Sequence, residues 1–325
     1  MKRTTTPTHT RAFTRAPTRR ICACLFLAMA LLALTSCGDE PALTPSSRAN
    51  VNPGAPVIKI GSKNFVEQYI LGEMYALLLE NAGYDVERKF NLGDTSATHA
   101  ALERAEIDLY PEYTGTGLVT VLKQPTNSDS QAVYNAVAQG YKDRFKLIWL
   151  APSPMNNALC IAITRKVAQQ YGITTISQFV QQASNFLLVG PPDFNTREDG
   201  MPGLLRVYGP FTLKEFREVE PDKRYQVVAD AQADAVVAFS TDGGIAQLGM
   251  IPLHDDKGLF PPYNVAPVVR QELVELQPKI ADVLNALPSH LTDTAMQQLN
   301  YEVSGQGKPF AEVARRFLAK VGLIS

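Results

Sequence analysis

The chain has 325 residues, of which 45% are hydrophobic and 19% are charged. This composition is typical of a globular protein and excludes an intrinsically disordered chain. A chain of this length buries one large core or two ordinary ones, and we expect two lobes. The first 36 residues hold six of the 31 basic residues and no acidic residue, which leaves 25 basic against 32 acidic residues, or about −7, in the remainder. An acidic body does not favour nucleic-acid binding.

An apolar segment follows the basic N-terminal stretch. It runs from Ile21 to Leu34 and leads into Thr35 and Ser36, two small residues. A basic start, a short apolar run and a small-residue exit are typical of an export signal, and the run is short for a helix that crosses a bilayer. The sequence therefore predicts that residues 1–36 are a signal peptide. A retained anchor helix is the alternative.

The end of the apolar run also indicates how the protein is held at the membrane. The sequence from Leu34 to Gly38 resembles a bacterial lipobox, in which the cysteine, here Cys37, carries the lipid. The pair Arg19-Arg20 leaves twin-arginine export open, although two arginines are a weak signal. Residues 37–56 are rich in Pro, Ser, Gly and Asn and predict a flexible tether. The folded body is expected to begin near Val57.

Cysteine and histidine usage gives no support to a disulfide or a metal site. If residues 1–36 are removed and Cys37 carries lipid, Cys160 is the remaining thiol, so no intramolecular disulfide is expected. His99, His254 and His290 stand apart from one another and from cysteine at metal-ligand spacing. We interpret these histidines as structural or surface residues.

The folded body alternates strand and helix patterns. Short β-branched runs end at glycine or polar residues, and apolar residues at helical spacing follow several of them. This order predicts an α/β fold with parallel or mixed open sheets covered by helices. The predicted strands are 57–61, 84–90, 107–110, 145–151, 158–163, 186–190, 226–228, 235–239 and 265–269, with helices at 65–82, 96–106 and between most later strands.

Loops that follow strands carry residues suited to ligand binding. The segment 61–65 leaves the first strand and opens a helix with Lys63, at a place where backbone N–H groups and the helix dipole also favour an anion. An exposed surface lysine is the alternative for Lys63. The segment 108–116 leaves the third strand through proline, two tyrosines and a glycine. Such loops are where α/β sheets commonly bind ligands.

A third loop, 191–200, contains Arg197. A guanidinium can hold a carboxylate through two parallel hydrogen bonds, so Arg197 is a candidate carboxylate clamp. A surface ion pair with Glu198 or Asp199 is the alternative.

Six ordered segments resemble the signature segments of the glycine betaine, carnitine and choline binding proteins of osmoprotectant ABC importers. The resemblance extends from residue 57 to about residue 320. It implies a two-lobed, type II-like periplasmic-binding-protein fold whose lobes close on a ligand by a hinge motion. The segments are Gly61 to Gln68, Tyr110 to Thr116, Met155 to Asn157, Arg197 to Gly200, Phe239 to Gly243 and Asp255 to Tyr263.

The family resemblance also implies a domain organisation and partners. Residues 57–154 and 256–325 would form the first lobe, and residues 155–255 the second. The ligand would be a small quaternary ammonium compound, and the partners an ABC permease and its ATPase. We expect a lipid-anchored monomer, facing the periplasm or the cell exterior, without cofactor, metal or nucleic acid.

In that family the trimethylammonium group lies in a cage of aromatic rings. A quaternary ammonium has no N–H to donate, whereas the negative faces of several rings attract it. By position, the cage would draw on Tyr113, Phe239 and Tyr263.

The same resemblance implies residues for the carboxylate of a betaine. Lys63, Thr116 and Arg197 match the positions that hold it in such proteins. Tyr110 and Asp94 are weaker candidates near the same loops.

The chain departs from the family pattern at Leu159. After Asn156-Asn157 the family commonly continues with threonine and an aromatic residue, but here Ala158 and Leu159 follow. Leu159 would make one cage wall aliphatic, which would weaken trimethylammonium binding or suit a bulkier ligand. The resemblance therefore supports the binding class more firmly than the particular solute.

Two other classes of function stay open at this stage. The chain has no Gly-x-Ser-x-Gly elbow and no phosphate-binding glycine loop, and Cys160 lies in an apolar stretch without a histidine nearby in sequence. An enzyme is therefore the weaker hypothesis. The aliphatic Leu159 keeps open a binding protein for a different solute, or a ligand-free sensory or interaction module on the same fold.

Overall fold

The structure is a computed structural model, and it describes residues 57–196, 199–220 and 223–325. The predicted signal peptide, the lipidation candidate Cys37, the predicted tether and the predicted clamp Arg197 lie outside the described residues.

Ten strands form two sheets of five strands each within the described residues. They are β1 (Ile58–Gly61), β2 (Val86–Lys89), β3 (Leu109–Tyr113), β4 (Leu147–Trp149), β5 (Leu159–Ile163), β6 (Leu187–Gly190), β7 (Glu215–Glu218), β8 (Ala235–Phe239), β9 (Ile251–Pro252) and β10 (Val265–Arg270).

Helices cover both sheets. The α-helices are α1 (Val66–Asn81), α2 (Thr95–Glu103), α3 (Thr114–Thr116), α4 (Ser130–Phe145), α5 (Arg165–Tyr171), α6 (Ile176–Gln181), α7 (Met201–Tyr208), α8 (Arg224–Ala229), α9 (Gly243–Leu248), α10 (Gln271–Leu276), α11 (Lys279–Asn285), α12 (Asp293–Ser304) and α13 (Phe310–Lys320). A π-helical turn (Gly117–Val121) follows α3, and short 3₁₀ turns lie at Ala183–Asn185, Pro192–Asn195 and Pro288–His290. Of the helices in the described part of the chain, none is both long enough and apolar enough for a membrane span.

Both sheets are mixed. The first has the order β2-β1-β3-β10-β4, in which β1 runs parallel to β2 and β3, and β10 runs antiparallel to β3 and β4. The second has the order β7-β6-β8-β5-β9, in which β6 runs parallel to β7 and β8, and β5 runs antiparallel to β8 and β9. Since β10 returns to the first sheet after the whole second sheet is complete, the chain builds two lobes. The predicted α/β class with mixed sheets is confirmed.

Each lobe buries apolar side chains on both faces of its sheet. In the first lobe α1, α11, α12 and α13 cover one face and α2 and α4 the other. Helix α1 is apolar around most of its circumference from Ile70 to Leu79, and that stretch is buried throughout, including Glu73, which is paired with Arg88. A helix of this kind belongs in the interior. Its N-terminus is thereby held at a fixed place at the edge of the first sheet.

Some predicted elements are wrong, and the reasons are local. Residues 226–228 lie in helix α8 rather than in a strand, because Arg224 to Ala229 is too short for periodicity to separate the two forms. Strand β3 continues to Tyr113 instead of ending at Tyr110. Pro111 does not end the strand, because Pro111 lies opposite Pro267 in the antiparallel pair of β3 and β10. The charged edge strand β7 and the two-residue β9 were not predicted.

The two chain segments that connect the lobes lie side by side. Asn156 and Asn264 form an isolated antiparallel bridge, and the Tyr263 N–H donates to Asn156 Oδ1 at 2.6 Å. The Asn264 side chain donates to the carbonyl oxygens of Ser153 and Met155, both at 3.1 Å. These bonds fix the connecting segments to each other. The predicted lobe boundaries at 154/155 and 255/256 fall close to them and stay predictions.

Candidate ligand-binding site

A cleft of about 660 Å³ opens between the two lobes. The first lobe contributes the N-termini of α1 and α2, the end of β3 and part of α12. The second lobe contributes the loop from Phe239 to Gly243 that joins β8 to α9. Both connecting segments also reach the cleft, through Asn157 and Tyr263. The size is that of a small-molecule site.

Four aromatic side chains line this cleft: Phe65, Tyr113, Phe239 and Tyr263. The Phe65 and Tyr113 rings are stacked, with centroids 6.3 Å apart and an interplanar angle of 19°. Phe65 is 38% exposed and Phe239 is 40% exposed, which is unusual for large apolar residues. The face of an aromatic ring carries a negative electrostatic potential, so rings exposed in a cleft attract a cation.

A glycine sets the position of Tyr263 in the cleft. A Cβ atom on Gly115 would lie 2.6 Å from the Pro262 carbonyl oxygen and 2.8 Å from the Tyr263 ring. Only glycine permits such a close approach of α3 to the connecting segment. Gly115 therefore allows α3 to pack closely against Tyr263, one of the cage candidates.

A buried carboxylate, Glu67, lies in the first turn of α1. Its Oε1 accepts hydrogen bonds from the Tyr113 hydroxyl at 2.7 Å and from Asn157 Nδ2 at 2.9 Å, and its Oε2 accepts one from Asn300 Nδ2 at 2.7 Å. Burial raises the pKa of Glu67, and hydrogen bonds from Thr241, Tyr113, Asn300 and Asn157 oppose that rise. Glu67 thus connects a cage candidate, a connecting segment and α12.

Lys63 forms a buried ion pair at the other side of Tyr113. Its Nζ lies 2.5 Å from Glu112 Oε1, and the two side chains are 5% and 0% exposed. The same Nζ lies 5.1 Å from the centroid of the Tyr113 ring. Gln68 holds the segment in place, because its side chain accepts from the Lys63 N–H at 3.2 Å and donates to the Pro111 carbonyl at 2.9 Å. The charge of Lys63 is therefore already compensated within the protein.

The loop after β8 is held by Asp242. Asp242 Oδ2 accepts from Arg224 Nη2 at 2.5 Å, from the Tyr225 hydroxyl at 2.7 Å and from the Phe239 N–H at 2.9 Å. These contacts fix the backbone at Phe239. The exposed ring of Phe239 is thus placed at the cleft by a charged network beneath it.

Helix α12 joins this loop to the first lobe. Asn300 Nδ2 donates both to Glu67 Oε2 and to the Thr241 carbonyl oxygen, the latter at 2.8 Å. Gln297 Nε2 donates to the Ser240 carbonyl oxygen at 2.6 Å. The second lobe's loop is therefore hydrogen-bonded to a helix of the first lobe beside the cleft.

The structure brings most of the sequence-predicted site residues to one place. Lys63, Tyr113, Thr116, Phe239 and Tyr263 line the cleft, as does the weaker candidate Asp94.

Two predicted residues lie elsewhere in the described part of the chain. Tyr110 is fully buried, with its hydroxyl 3.0 Å from Glu112 Oε2, and it does not line the cleft. Leu159 is paired with Phe239 across β5 and β8, but it is buried in the second lobe's core. It lines a second cavity, of about 460 Å³, and is absent from the walls of the cleft. The structure therefore does not bring Leu159 to the predicted cage.

Sequence reasoning did not single out several residues that line the cleft, and four of them take part in the contacts described above. Phe65 and Glu67 stood inside the segment Gly61 to Gln68, and Asn157 in the segment Met155 to Asn157, without a separate role. Asn300 lies in an amphipathic helix far along the chain and gives no local signal. Their proximity to one another is a product of the fold.

The described residues give little support to a catalytic or metal-binding site. Burial raises the pKa of the Cys160 thiol, which opposes its use as a nucleophile. His99 packs against Tyr141 and Phe145, and burial lowers its pKa. No group of three or more His, Cys, Asp or Glu side chains within the described ranges is placed to hold a metal ion.

Two mixed sheets with a ligand-sized cleft between them define a two-lobed solute-binding protein. Solved structures agree with this class. The crystal structure of a glycine betaine/carnitine/choline ABC transporter aligns over 82% of this chain and 100% of its own, with a TM-score of 0.79 and 29% identity. The apo structure of YehZ from Escherichia coli aligns over 83% of this chain and 100% of its own, with a TM-score of 0.77 and 30% identity.

The chain belongs to the family described as the substrate-binding domain of ABC-type glycine betaine transport systems, whose model matches residues 56–320. Members of this family are solute-binding proteins of ABC importers, which act outside the cytoplasm and deliver their solute to a permease driven by an ATPase. The expected family is thereby confirmed.

Curated relatives extend the comparison. The glycine betaine-binding protein YehZ of Escherichia coli is 32% identical over 285 residues, which cover 82% of this chain and 92% of YehZ. The ergothioneine transport permease/ergothioneine binding protein EgtU of Helicobacter pylori is 36% identical over 265 residues, which cover 81% of this chain. The matched region is 47% of the length of EgtU.

Proposed function

We propose that this protein is an exported, lipid-anchored binding protein that captures a quaternary ammonium solute and delivers it to an ABC permease and its ATPase. The observation that carries the proposal is the set of four aromatic side chains around one cleft: Phe65, Tyr113, Phe239 and Tyr263. We assign the trimethylammonium group of the ligand to this set. Relatives named for glycine betaine, carnitine and ergothioneine support the same class of ligand.

The physical reason is that a quaternary ammonium carries charge without a donor. Aromatic faces attract such a group, and each desolvated contact contributes about 2 kcal/mol or more. The carboxyl group of Glu67 lies behind Tyr113 and accepts its hydroxyl, and the buried pair of Lys63 and Glu112 lies at the other side of the same ring. A cation entering the cleft therefore meets the ring faces first.

Other classes of function find less support. Family members bind and deliver solutes, so we propose no catalytic activity for this chain. A ligand-free sensory or interaction module would not need four rings at one cleft. We expect the protein to act as a monomer, since one chain supplies both walls of the cleft.

Calorimetric titration of the purified protein tests the proposal directly. Glycine betaine, choline, carnitine and ergothioneine are titrated in turn, with a fluorescence competition assay for weak ligands. Saturable one-to-one binding of at least one of them is expected. Absence of binding for all four would favour a different solute or the sensory module, and chemical conversion of a ligand by the protein alone would indicate an enzyme.

Arg197 remains our candidate for holding a ligand carboxylate. Because Lys63 is already paired with Glu112, a carboxylate needs another cation, and Arg197 comes from the loop that the sequence predicts beside the cleft. Arg197→Ala is expected to weaken glycine betaine binding by about 1.5 to 3 kcal/mol, the scale of a hydrogen bond to a charged group. Choline, which has no carboxylate, should lose much less. Equal losses for the two ligands in titration would remove Arg197 from the site.

Cys37 is our candidate for the lipid anchor. Cleavage after Ser36 would make Cys37 the first residue of the mature protein, and its lipid would hold the tether at the membrane. Cys37→Ser is expected to release the protein into the soluble fraction on membrane fractionation. Mass spectrometry of the mature N-terminus provides the control. A substituted protein that stays in the membrane with its N-terminus intact would show a retained anchor helix instead.

A further inference from the structure

Three hydrogen bonds in series connect a cage ring of the first lobe to the second lobe. The Tyr113 hydroxyl donates to Glu67 Oε1 at 2.7 Å. The other oxygen, Glu67 Oε2, accepts from Asn300 Nδ2 at 2.7 Å, and the same nitrogen donates to the Thr241 carbonyl oxygen at 2.8 Å. Thr241 lies on the second lobe's loop beside Phe239, another cage candidate. We call the series from Tyr113 through Glu67 and Asn300 to Thr241 the Glu67 relay.

The relay depends on two acceptor oxygens at position 67. Asn300 donates to Oε2 of Glu67, while two donors share Oε1. These two are the Tyr113 hydroxyl and, at 2.9 Å, Asn157 Nδ2. A carboxylate accepts on both oxygens, whereas a carboxamide of the same shape has one acceptor oxygen and would point an N–H at a donor. Glutamine at position 67 would therefore break the relay without changing the volume of the side chain.

The relay is buried and crosses from one lobe to the other. All four of its residues are buried, and Asn300, at 8%, is the most exposed of them. Hydrogen bonds to a charged group are stronger than those between neutral groups, and exclusion of water strengthens them further. Asn300 belongs to the first lobe and Thr241 to the second, so a movement of the lobes apart at this point would break the bond between them. The relay is complete only when the lobes are placed as they are here.

We infer that Glu67 is a positioning residue for ligand binding: through the relay it fixes the Tyr113 ring relative to the second lobe's loop and so sets the separation of two cage walls. This inference rests on the proposed function and deepens it. Glu67 acts through Tyr113 and Asn300 and needs no contact with the ligand. Its effect is therefore shared by every ligand whose trimethylammonium group fills the cage, and it stabilises the arrangement of the lobes that encloses the ligand.

Glu67→Gln tests the inference, with glycine betaine and choline as probes. The dissociation constant is expected to rise by about 10- to 100-fold, and by a similar factor for both probes, which is the scale of a hydrogen bond lost from a buried charged group. Stopped-flow fluorescence separates the rates. The dissociation rate should rise by about the same factor, while the association rate changes little, because the relay holds the lobes around a ligand that has already entered. A general loss of structure would instead lower the binding stoichiometry.

Two further variants give the control and the second arm. Glu73→Gln changes another buried carboxylate of α1, which is paired with Arg88 at 2.7 Å and does not line the cleft, and it should keep the wild-type affinity and rates. Asn300→Leu breaks the relay at its next bond. The double variant Glu67→Gln/Asn300→Leu should bind no more than about threefold more weakly than the weaker of the two single variants, because a relay that is already broken loses nothing further.

The outcomes distinguish the inference from the proposed function. Wild-type affinity in folded Glu67→Gln, or losses that add in the double variant, would overturn the relay and leave the proposed function intact. A much larger loss for choline than for glycine betaine would overturn the positioning role by indicating direct contact between Glu67 and the cation. If Glu67→Gln does not fold, Asn300→Leu carries the same test through its dissociation rate. If neither probe binds the wild-type protein, the trimethylammonium cage and the inference fail together.

Discussion

Lys63→Met is expected to lower the free energy of unfolding by about 3 to 5 kcal/mol, the cost of removing one partner from a buried ion pair. The Lys63 ammonium lies 2.5 Å from Glu112, and water reaches neither side chain appreciably. Methionine fills a similar volume without the charge. Glu112 would keep the Tyr113 N–H at 2.6 Å and the Tyr110 hydroxyl at 3.0 Å. Two neutral donors stabilise a carboxylate but do not neutralise it, so most of the loss should remain.

Chemical denaturation measures this loss, and two further variants interpret it. Lys89→Met removes a lysine from a surface pair with Glu87, 3.5 Å apart, whose side chains are 35% and 49% exposed. It should cost about 0 to 1 kcal/mol. Lys63→Met/Glu112→Gln removes both buried charges and should cost clearly less than the sum of the single changes. If Lys63→Met shifts the unfolding midpoint no more than Lys89→Met does, the buried pair contributes little to stability.

The same variant also bears on ligand recognition. Family resemblance places Lys63 at the carboxylate of a betaine, whereas the structure pairs it with Glu112 and places it beside the Tyr113 ring. Titration of the folded Lys63→Met protein separates the two roles. A loss confined to glycine betaine supports direct contact with a carboxylate. A similar loss for choline indicates that Lys63 affects binding indirectly, by positioning the Tyr113 ring.

Much of the fold could be predicted from local sequence. Strands β1, β5, β6 and β8 are runs of β-branched and apolar residues with clear ends, so their bounds were found within about one residue. Strand β7 is charged, lies at a sheet edge and has no fully buried residue. Its sequence therefore carries no apolar run from which a strand could be predicted. Pro111 suggested the end of a strand, and only the pairing with Pro267 across β10 shows why the strand continues.

The site was predictable where its residues share a segment, and not where the fold assembles them. Lys63, Tyr113 and Phe239 stand at strand ends, which sequence order reveals. Glu67 and Asn300 are 233 positions apart, and nothing in either segment indicates the other. Leu159 shows the converse: its place in a motif suggested the cage, whereas the structure buries its side chain in the second lobe's core.

Gly243→Ala is expected to weaken ligand binding by disturbing the contact between two helices. Gly243 begins α9 in the second lobe and packs against the backbone of α12 in the first. A Cβ atom there would lie 2.6 Å from the Tyr301 nitrogen, 2.8 Å from its Cα and 2.9 Å from the Asn300 carbonyl carbon. Backbone atoms cannot rotate aside as a side chain does, so α9 and α12 must separate. Overpacking of this kind typically costs about 1 to 3 kcal/mol, and more in tight places.

Separation of these helices should reach the cleft. The hydrogen bonds from Asn300 to Thr241 and from Gln297 to Ser240 cross this contact, and Phe239 lies on the same loop. Ligand affinity is therefore expected to fall by roughly 10- to 100-fold, as two such bonds and the cage geometry are lost together. Gly140→Ala is the matched control. Gly140 lies inside α4 and away from the cleft, and a Cβ atom there would meet the side chain of Leu122, which can move aside. Calorimetry and thermal unfolding of both variants decide the question. Wild-type affinity in a folded Gly243→Ala protein would show that the contact between α9 and α12 does not control the site.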